Sequence, residues 1–407
     1  MRIAEISVHS CPQRSPGIGD VGGMNLYILA LSHEMNKLGV QVDIFARWHD
    51  PDEPEIITIN DRTRLIHIRA GAPEDISKTA IYDCLPEFQA NLLAFLKKDR
   101  AEYDIIRSHY WTSGLVAERL KNQLGIPHVV TFHTLGAVKN RALGAEEEPE
   151  LRIQSEKEIV AAADCIVTST QEGKNNLIRL YGSPPDKVRV IPAGVDLDLF
   201  HPADREEARR ELALEEYRRV LLFAGRLQPF KGLDLLLHAM TYLPNHGTTR
   251  LLVVGGNAGK TDELMKMNSL VNELGIGSMV GFVGAVEHDR MPTFYNAADI
   301  CIVPSFHESF GMVAVESLAS GTPVVASRVG GLATIIKDGE TGYLFDERSP
   351  ELLATYLCLL MSENEIRESM AKSARQSVMK YNWSSTARRL FQVYRELYGK
   401  LQDNVQK

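Results

Sequence analysis

Five cysteines in 407 residues, Cys11, Cys84, Cys165, Cys301 and Cys358, are too few and too scattered to staple a fold, and no C-x-x-C pair stands among them. That pattern excludes a disulfide framework and predicts buried free thiols in a reducing compartment. No apolar run approaches the ~18 residues of a membrane span. The start, Met1-Arg2-Ile3-Ala4-Glu5-Ile6, lacks the charged stretch, apolar run and cleavage site of a secretion signal. A cytoplasmic location without an integral membrane segment is expected. Positive charge is in deficit: 45 Lys plus Arg stand against 53 Asp plus Glu, a formal charge of -8. No surface-wide field therefore attracts nucleic acid or an anionic membrane, and any anion must be bound locally. The 12 histidines form neither H-E-x-x-H nor a Cys/His cluster along the sequence, so no metal site is expected. What remains is ordinary, with 44% apolar and 24% charged residues in a length that calls for two cores. A homodimer is compatible with this composition.

Short apolar runs alternate with longer segments of helical period, the pattern of a parallel sheet wound with crossover helices. The first series of strands is predicted at Arg2 to His9, Gln41 to Ala46, Leu65 to Ile68, Ile105 to Ser108, His128 to Phe132 and Cys165 to Ser169. The second is predicted at Val220 to Ala224, Leu251 to Val254, Met279 to Val283, Ile300 to Val303 and Val324 to Ala326. Between them, Ile191-Pro192-Ala193-Gly194-Val195-Asp196 reads as a linker. The fold class is α/β, two doubly wound Rossmann-like domains facing across a cleft. Ligands of such sheets sit where strand ends lead into helix N-termini.

Gly17-Ile18-Gly19-Asp20-Val21-Gly22 spells G-x-G-x-x-G, and Asp43 lies about where a dinucleotide fold puts its ribose acid, so a NAD-dependent oxidoreductase is a rival. His9 to Pro16 intervene between strand and glycines, which a dinucleotide fingerprint does not tolerate. Gly22-Gly23 instead lets backbone N–H groups approach a phosphate at the helix beginning near Met24. Gly255 to Thr261 ends in G-K-T but has Val254 where a P-loop needs glycine. Asp196-Leu197-Asp198 is read as turn chemistry rather than a metal motif.

In the second half, Gly225-Arg226-Leu227-Gln228-Pro229-Phe230-Lys231-Gly232 follows a strand directly. It offers the fork of Arg226 and the compact charge of Lys231 to a diphosphate. A second strand leads into Ser305 to Glu316, with Glu308 on the loop and Glu316 eight residues later on a helix predicted from near Phe310. Glu316 suits ribose hydroxyls and Glu308 a hexose hydroxyl, while the N-terminus at Gly311, Met312 and Val313 faces the diphosphate. An acid buried on so apolar a helix needs a partner.

Glu308 to Glu316 is an E-x7-E pattern. Together with Gly22-Gly23, Ser108-His109-Tyr110-Trp111, Thr131-Phe132-His133-Thr134-Leu135, the Arg226/Lys231 loop, Gly321-Thr322-Pro323-Val324 and Gly330-Gly331, it resembles the retaining glycosyltransferases of family 4, which have the GT-B fold. Gly19 to Asn25 and Leu135 to Asn140 are similar to the inositol-phosphate N-acetylglucosaminyltransferase branch, and Leu85-Pro86-Glu87-Phe88 to the sucrose-phosphate synthase branch. The resemblance implies a UDP-sugar donor, a small phosphorylated acceptor such as inositol phosphate, retention of configuration, and no cofactor or metal. It places His133 at the donor sugar near the reacting carbon. Lys78, Tyr110, Thr134 and Arg152 become acceptor-phosphate residues, with His9 and Asn25 lining the same pocket. Residues 1–195 would bind acceptor and 196–382 donor, the terminal helix 383–407 packing back on the first domain. A noncatalytic nucleotide-sugar-binding protein would keep the donor residues without transfer.

Overall fold

The computed structural model describes residues 1–13, 22–144, 148–244, 247–256 and 262–405. The described residues form two compact units, one of residues 1–13, 22–194 and 383–405, the other of 195–382.

The first unit is built on β1 (Arg2–Ser7), β2 (Gln41–Arg47), β3 (Ile56–Asn60), β4 (Thr63–Ile68), β5 (Ile105–His109), β6 (His128–Thr131), β7 (Cys165–Thr168) and β8 (Val188–Val190). Their order across the sheet is β3-β4-β2-β1-β5-β6-β7-β8, parallel except where β3 runs antiparallel to β4. Helices cover both faces, so central strands such as β5 are buried along their whole length, the polar Arg107, Ser108 and His109 included. The second unit carries β9 (Arg219–Ala224), β10 (Thr249–Val254), β11 (Val280–Gly284), β12 (Ile300–Val303), β13 (Val324–Ser327) and β14 (Gly342–Phe345). All are parallel, in the order β11-β10-β9-β12-β13-β14.

Each sheet reverses its winding once, between β1 and β5 in the first unit and between β9 and β12 in the second. Side chains and backbone amides just beyond those strand ends therefore converge on one crevice per unit. The helix Trp383–Val405 closes the first unit by packing on the helix Gly23–Lys37. Leu390 and Tyr394 are fully buried, Trp383 meets Tyr27 with ring centroids 5.6 Å apart, and Thr386 Oγ1 donates to the Pro192 carbonyl at 2.9 Å. A side chain at Gly194 would collide with the Trp383 backbone.

Three expectations change. Strands β3, β8 and β14 appear where no strand range was predicted. The helix expected from Phe310 begins at Met312, because Gly311 at φ +109° lies outside the helical region. Cys11, Cys165 and Cys301 are buried and in no disulfide, but Cys84 and Cys358 are half-exposed. Among the described residues, no helix is long and apolar enough to cross a membrane.

Candidate active site

In the second unit the loops after β9 and β12 are locked together. Phe306 N–H donates to the Phe230 carbonyl at 2.7 Å. Gly232, at φ +70°, sits so close to the Pro304 carbonyl that any Cβ would overlap it. Lys231 Nζ meets Glu308 Oε2 at 2.6 Å, so the two residues read separately from sequence form one pair, both only partly exposed. Arg226 is half-buried on the same loop. Glu308 does not cap the following helix; Gly311 holds that position and no described side chain caps it. The N–H groups of Met312 and Val313 are consequently the orphan donors of a helix start. Gly330 and Gly331 press against the carbonyls of Glu308 and Phe310, leaving no room for a side chain at either.

Glu316 is 5% exposed on the helix Met312–Ala319. The partner that a buried acid requires is supplied by the protein on both oxygens, which corrects the expectation that a ligand must provide it. His288 Nε2 stands 2.9 Å from Oε1, and Tyr295 Oη donates to Oε2 at 2.8 Å. Burial alone would lower the His288 pKa, but the hydrogen bond and charge of Glu316 outweigh it and raise it. Neither His288 nor Tyr295 carries a local sequence signal, since both gain meaning only through Glu316.

In the first unit four of the residues assigned to the acceptor, His9, Tyr110, Thr134 and Arg152, are contiguous. His9 packs on Tyr110 at 4.3 Å between ring centroids, and the Arg152 guanidinium lies 4.7 Å over the other part of that contact, the Tyr110 ring. Arg152 Nη2 donates to the carbonyl and Oγ1 of Thr134 at 2.9 and 3.0 Å. Asn25 takes a hydrogen bond from Ser10 Oγ and gives one to the Cys11 carbonyl, holding the loop that carries His9. Arg152 is buried, not the surface cation that isolated arginines usually are. It pairs with Glu156 at 2.8 Å and Glu148 at 2.7 Å. Glu148 also pairs with Lys139, a cation the sequence reading did not single out. Glu156 spans the Gly136 N–H at the start of the helix Gly136–Leu143. Lys78 opens the helix Lys78–Asp83, its side chain outside the described residues. Gly22 and Gly23 begin the helix Gly23–Lys37, and the space a Cβ would take at Gly22 is open.

His133 follows β6 at φ +60°, and Tyr110 follows β5 at φ +73°. Each costs about 1–3 kcal/mol of backbone strain, a cost that tends to be retained at functional positions. His133 Nε2 is 2.8 Å from His109 Nδ1, and His109 Nε2 is 2.7 Å from Glu5 Oε1. Glu5 Oε1 also accepts from Arg107 Nη1, so it is the acceptor and His109 Nε2 carries the hydrogen. His109 Nδ1 then accepts, the His133 hydrogen resides on Nε2, and His133 Nδ1 is left with a lone pair. Burial, with Arg107 nearby, holds both histidines well below the usual range and therefore neutral near pH 7. The sequence named His133 but missed Glu5, Arg107 and His109 as its supports.

The dinucleotide reading loses its ribose acid. Asp43, the ribose acid of a dinucleotide fold, is buried and already engaged by Arg2, Arg64 and Tyr103. Gly17 to Val21 and Asn257 to Thr261 lie outside the described residues. Asp196 Oδ1 accepts from the N–H groups of Asp198 and Leu199, the turn expected there.

Two family models match, "Glycosyltransferase Family 4" over residues 21–199 and "Glycosyl transferases group 1" over residues 204–377. The chain is 39% identical over 404 residues to the D-inositol 3-phosphate glycosyltransferase of Corynebacterium efficiens, covering 97% of this chain and 95% of that one. A Catenulispora acidiphila relative named D-inositol 3-phosphate glycosyltransferase 2 is also 39% identical, with coverages of 97% and 94%. Among solved structures, the sucrose-phosphate synthase of Thermosynechococcus elongatus superposes with a TM-score of 0.91 at 33% identity over 98% of this chain and 99% of that one. Anabaena HepE, solved with UDP and glucose, shares the fold at a TM-score of 0.78, with 17% identity over 98% of this chain and all of that one. The chain therefore belongs to the group 1, family 4 glycosyltransferases and has their GT-B fold of two parallel-sheet α/β domains.

Proposed function

We propose that the chain transfers a hexosyl unit from a UDP-sugar to a hydroxyl of an inositol phosphate, with retention of configuration. What carries this reading is the near full-length match to enzymes named for inositol 3-phosphate, joined to the contiguity of Tyr110, Thr134 and Arg152 in the first unit. The first unit would bind the acceptor and the second the donor. An incoming acceptor phosphate competes with Glu148 for Arg152 and Lys139, since Glu148 is the more exposed of the two carboxylates on Arg152. In the second unit Arg226, Lys231 and the amides of Met312 and Val313 hold the diphosphate as charge builds on it, which is where electrostatic stabilisation counts most. Glu316 takes the ribose hydroxyls. Glu308, paired with Lys231, orients a hexose hydroxyl rather than attacking carbon. His133, with Nδ1 unprotonated, accepts a hydrogen bond from the donor sugar. The leaving phosphate takes the acceptor proton, and these cations and amides supply the charge that a metal provides elsewhere. Free thiols among the described cysteines support a cytoplasmic setting.

The synthase likeness favours a second acceptor class, a sugar phosphate. A screen of UDP-glucose and UDP-N-acetylglucosamine against inositol 3-phosphate and fructose 6-phosphate separates the two, with product mass and anomeric configuration read by NMR and the chelated enzyme compared with magnesium-supplemented enzyme. An α-linked inositol phosphate glycoside is the expected product. Hydrolysis alone with every pairing defeats the proposal.

A further inference from the structure

Three side chains far apart in sequence meet in the first unit at a place the sugar-transfer reading does not use. Cys11 lies on the loop after β1, Glu53 between β2 and β3, and His67 on β4. Cys11 Sγ is 3.4 Å from His67 Nε2, and Glu53 Oε2 is 3.3 Å from the same nitrogen. All three ligand atoms lie within 4.8 Å of one another. A tetrahedral zinc ion with ordinary bond lengths to sulfur, nitrogen and oxygen has S···N and N···O edges of about 3.6 and 3.4 Å. The spacing is that of ligands around an ion.

The hydrogen positions point the same way. His67 Nδ1 is 2.8 Å from the Pro54 carbonyl, which only accepts, so Nδ1 carries the hydrogen and neutral His67 turns the Nε2 lone pair toward Cys11 and Glu53. A histidine whose outer N–H is tied to a carbonyl is the usual second support of a metal ligand. Glu53 Oε2 is sealed from solvent with no hydrogen bond, facing that lone pair. Two acceptors at 3.3 Å repel unless a cation sits between them. His49 Nε2 lies 3.9 Å from Glu53 Oε2.

We propose that Cys11, Glu53 and His67 bind one Zn²⁺, a thiolate, carboxylate and imidazole set that favours zinc over magnesium or calcium. The ion pins the loop after β1 to β4. Because the Cys11 carbonyl accepts from Asn25, it also steadies the start of the helix Gly23–Lys37. The proposal does not depend on which sugar or acceptor the enzyme uses.

The test is a titration of the full-length protein, stripped with chelator and dialysed, using Co²⁺ as the spectroscopic probe. One equivalent should bind with a thiolate-to-cobalt charge-transfer band and the visible bands of a tetrahedral ion, all displaced by Zn²⁺. Cys11→Ser should abolish the charge-transfer band, and Glu53→Gln and His67→Asn should each weaken binding at least about tenfold. Cys84→Ser, which alters a thiol outside the cluster, should leave the spectrum intact. No charge-transfer band from folded wild-type protein at excess Co²⁺ overturns the proposal. An unchanged band in Cys11→Ser overturns it equally. Should Cys11→Ser fail to fold by circular dichroism, the wild-type spectrum and the Glu53→Gln affinity decide.

Discussion

His133 is useful only if its imidazole presents the right nitrogen, and three buried residues decide that. The hydrogen-bonded line from Glu5 through His109 to His133 commits the His133 hydrogen to Nε2. His109→Gln cannot both accept from His133 and donate to Glu5 with the same geometry. It should lower kcat by roughly tenfold to a hundredfold, the usual effect of losing a group that orients a functional histidine, while leaving the donor KM within about twofold. Steady-state kinetics checks this, and a fall seen only in KM would place His109 elsewhere. Lys231→Ala is expected to act differently. It removes a positive charge from the proposed diphosphate site and should cost on the order of 10²–10³ in kcat. It also frees Glu308 from its ion pair, so Lys231→Ala/Glu308→Gln should lose less than the sum of the single variants in a double-mutant cycle. Lys231, Glu308 and His133 were legible because each stands on a loop in a recognisable string. Glu5 was not, since an acid two residues before the end of β1 gives no hint of partners about a hundred positions away.

Strands β5 and β6 bury His109 and His128 within the sheet, and half-buried His133 follows just beyond the end of β6. Burial pushes His128 down to about 3, and burial together with Arg107 lowers His109 and His133. Each folded-state value is below that of an exposed histidine, near 6.5. As pH falls through about 6.5 the unfolded chain therefore binds up to about three more protons than the folded one, and stability drops. Glu5, raised by burial against the pull of Arg107, works in the opposite sense, since the folded state takes its proton first and so offsets about one of the three. Denaturant unfolding between about pH 7 and pH 5 should lose roughly 1.4 kcal/mol per pH unit for each uncompensated proton. His128→Asn, which keeps a partner for Ser108 Oγ, should flatten that slope by about one proton. An identical slope in the variant defeats this account. The buried strands were legible because helices on both faces demand mostly apolar residues. β3 was not, because it is an antiparallel edge strand with largely exposed side chains, and four-residue β14 opens with a glycine wedged against the Val324 carbonyl.

At the scale of the whole molecule, the first unit is discontinuous, its last helix arriving after the second unit is complete. The apolar period of Leu390, Phe391, Tyr394, Leu397 and Tyr398 showed that this helix has a face to bury. Only the family resemblance indicated which domain receives it, because a periodicity names no partner. Fully burying side chains such as Trp383, Leu390 and Tyr394 stabilises by about 1.5–3 kcal/mol each, against about 5–15 kcal/mol for a whole domain. A chain ending at Asn382 should therefore have a severely weakened first unit and a largely intact second one. The three tryptophans, Trp48, Trp111 and Trp383, all belong to the first unit, so tryptophan emission reports that unit alone. In the truncated chain, Trp48 and Trp111 should become solvent-exposed at a much lower urea concentration than in the full chain, while calorimetry still detects UDP binding through Arg226, Lys231 and Glu316. A fluorescence midpoint unchanged by the truncation would mean that the helix is dispensable to the unit it covers. Joint loss of the emission transition and of UDP binding would mean that the two units do not fold separately.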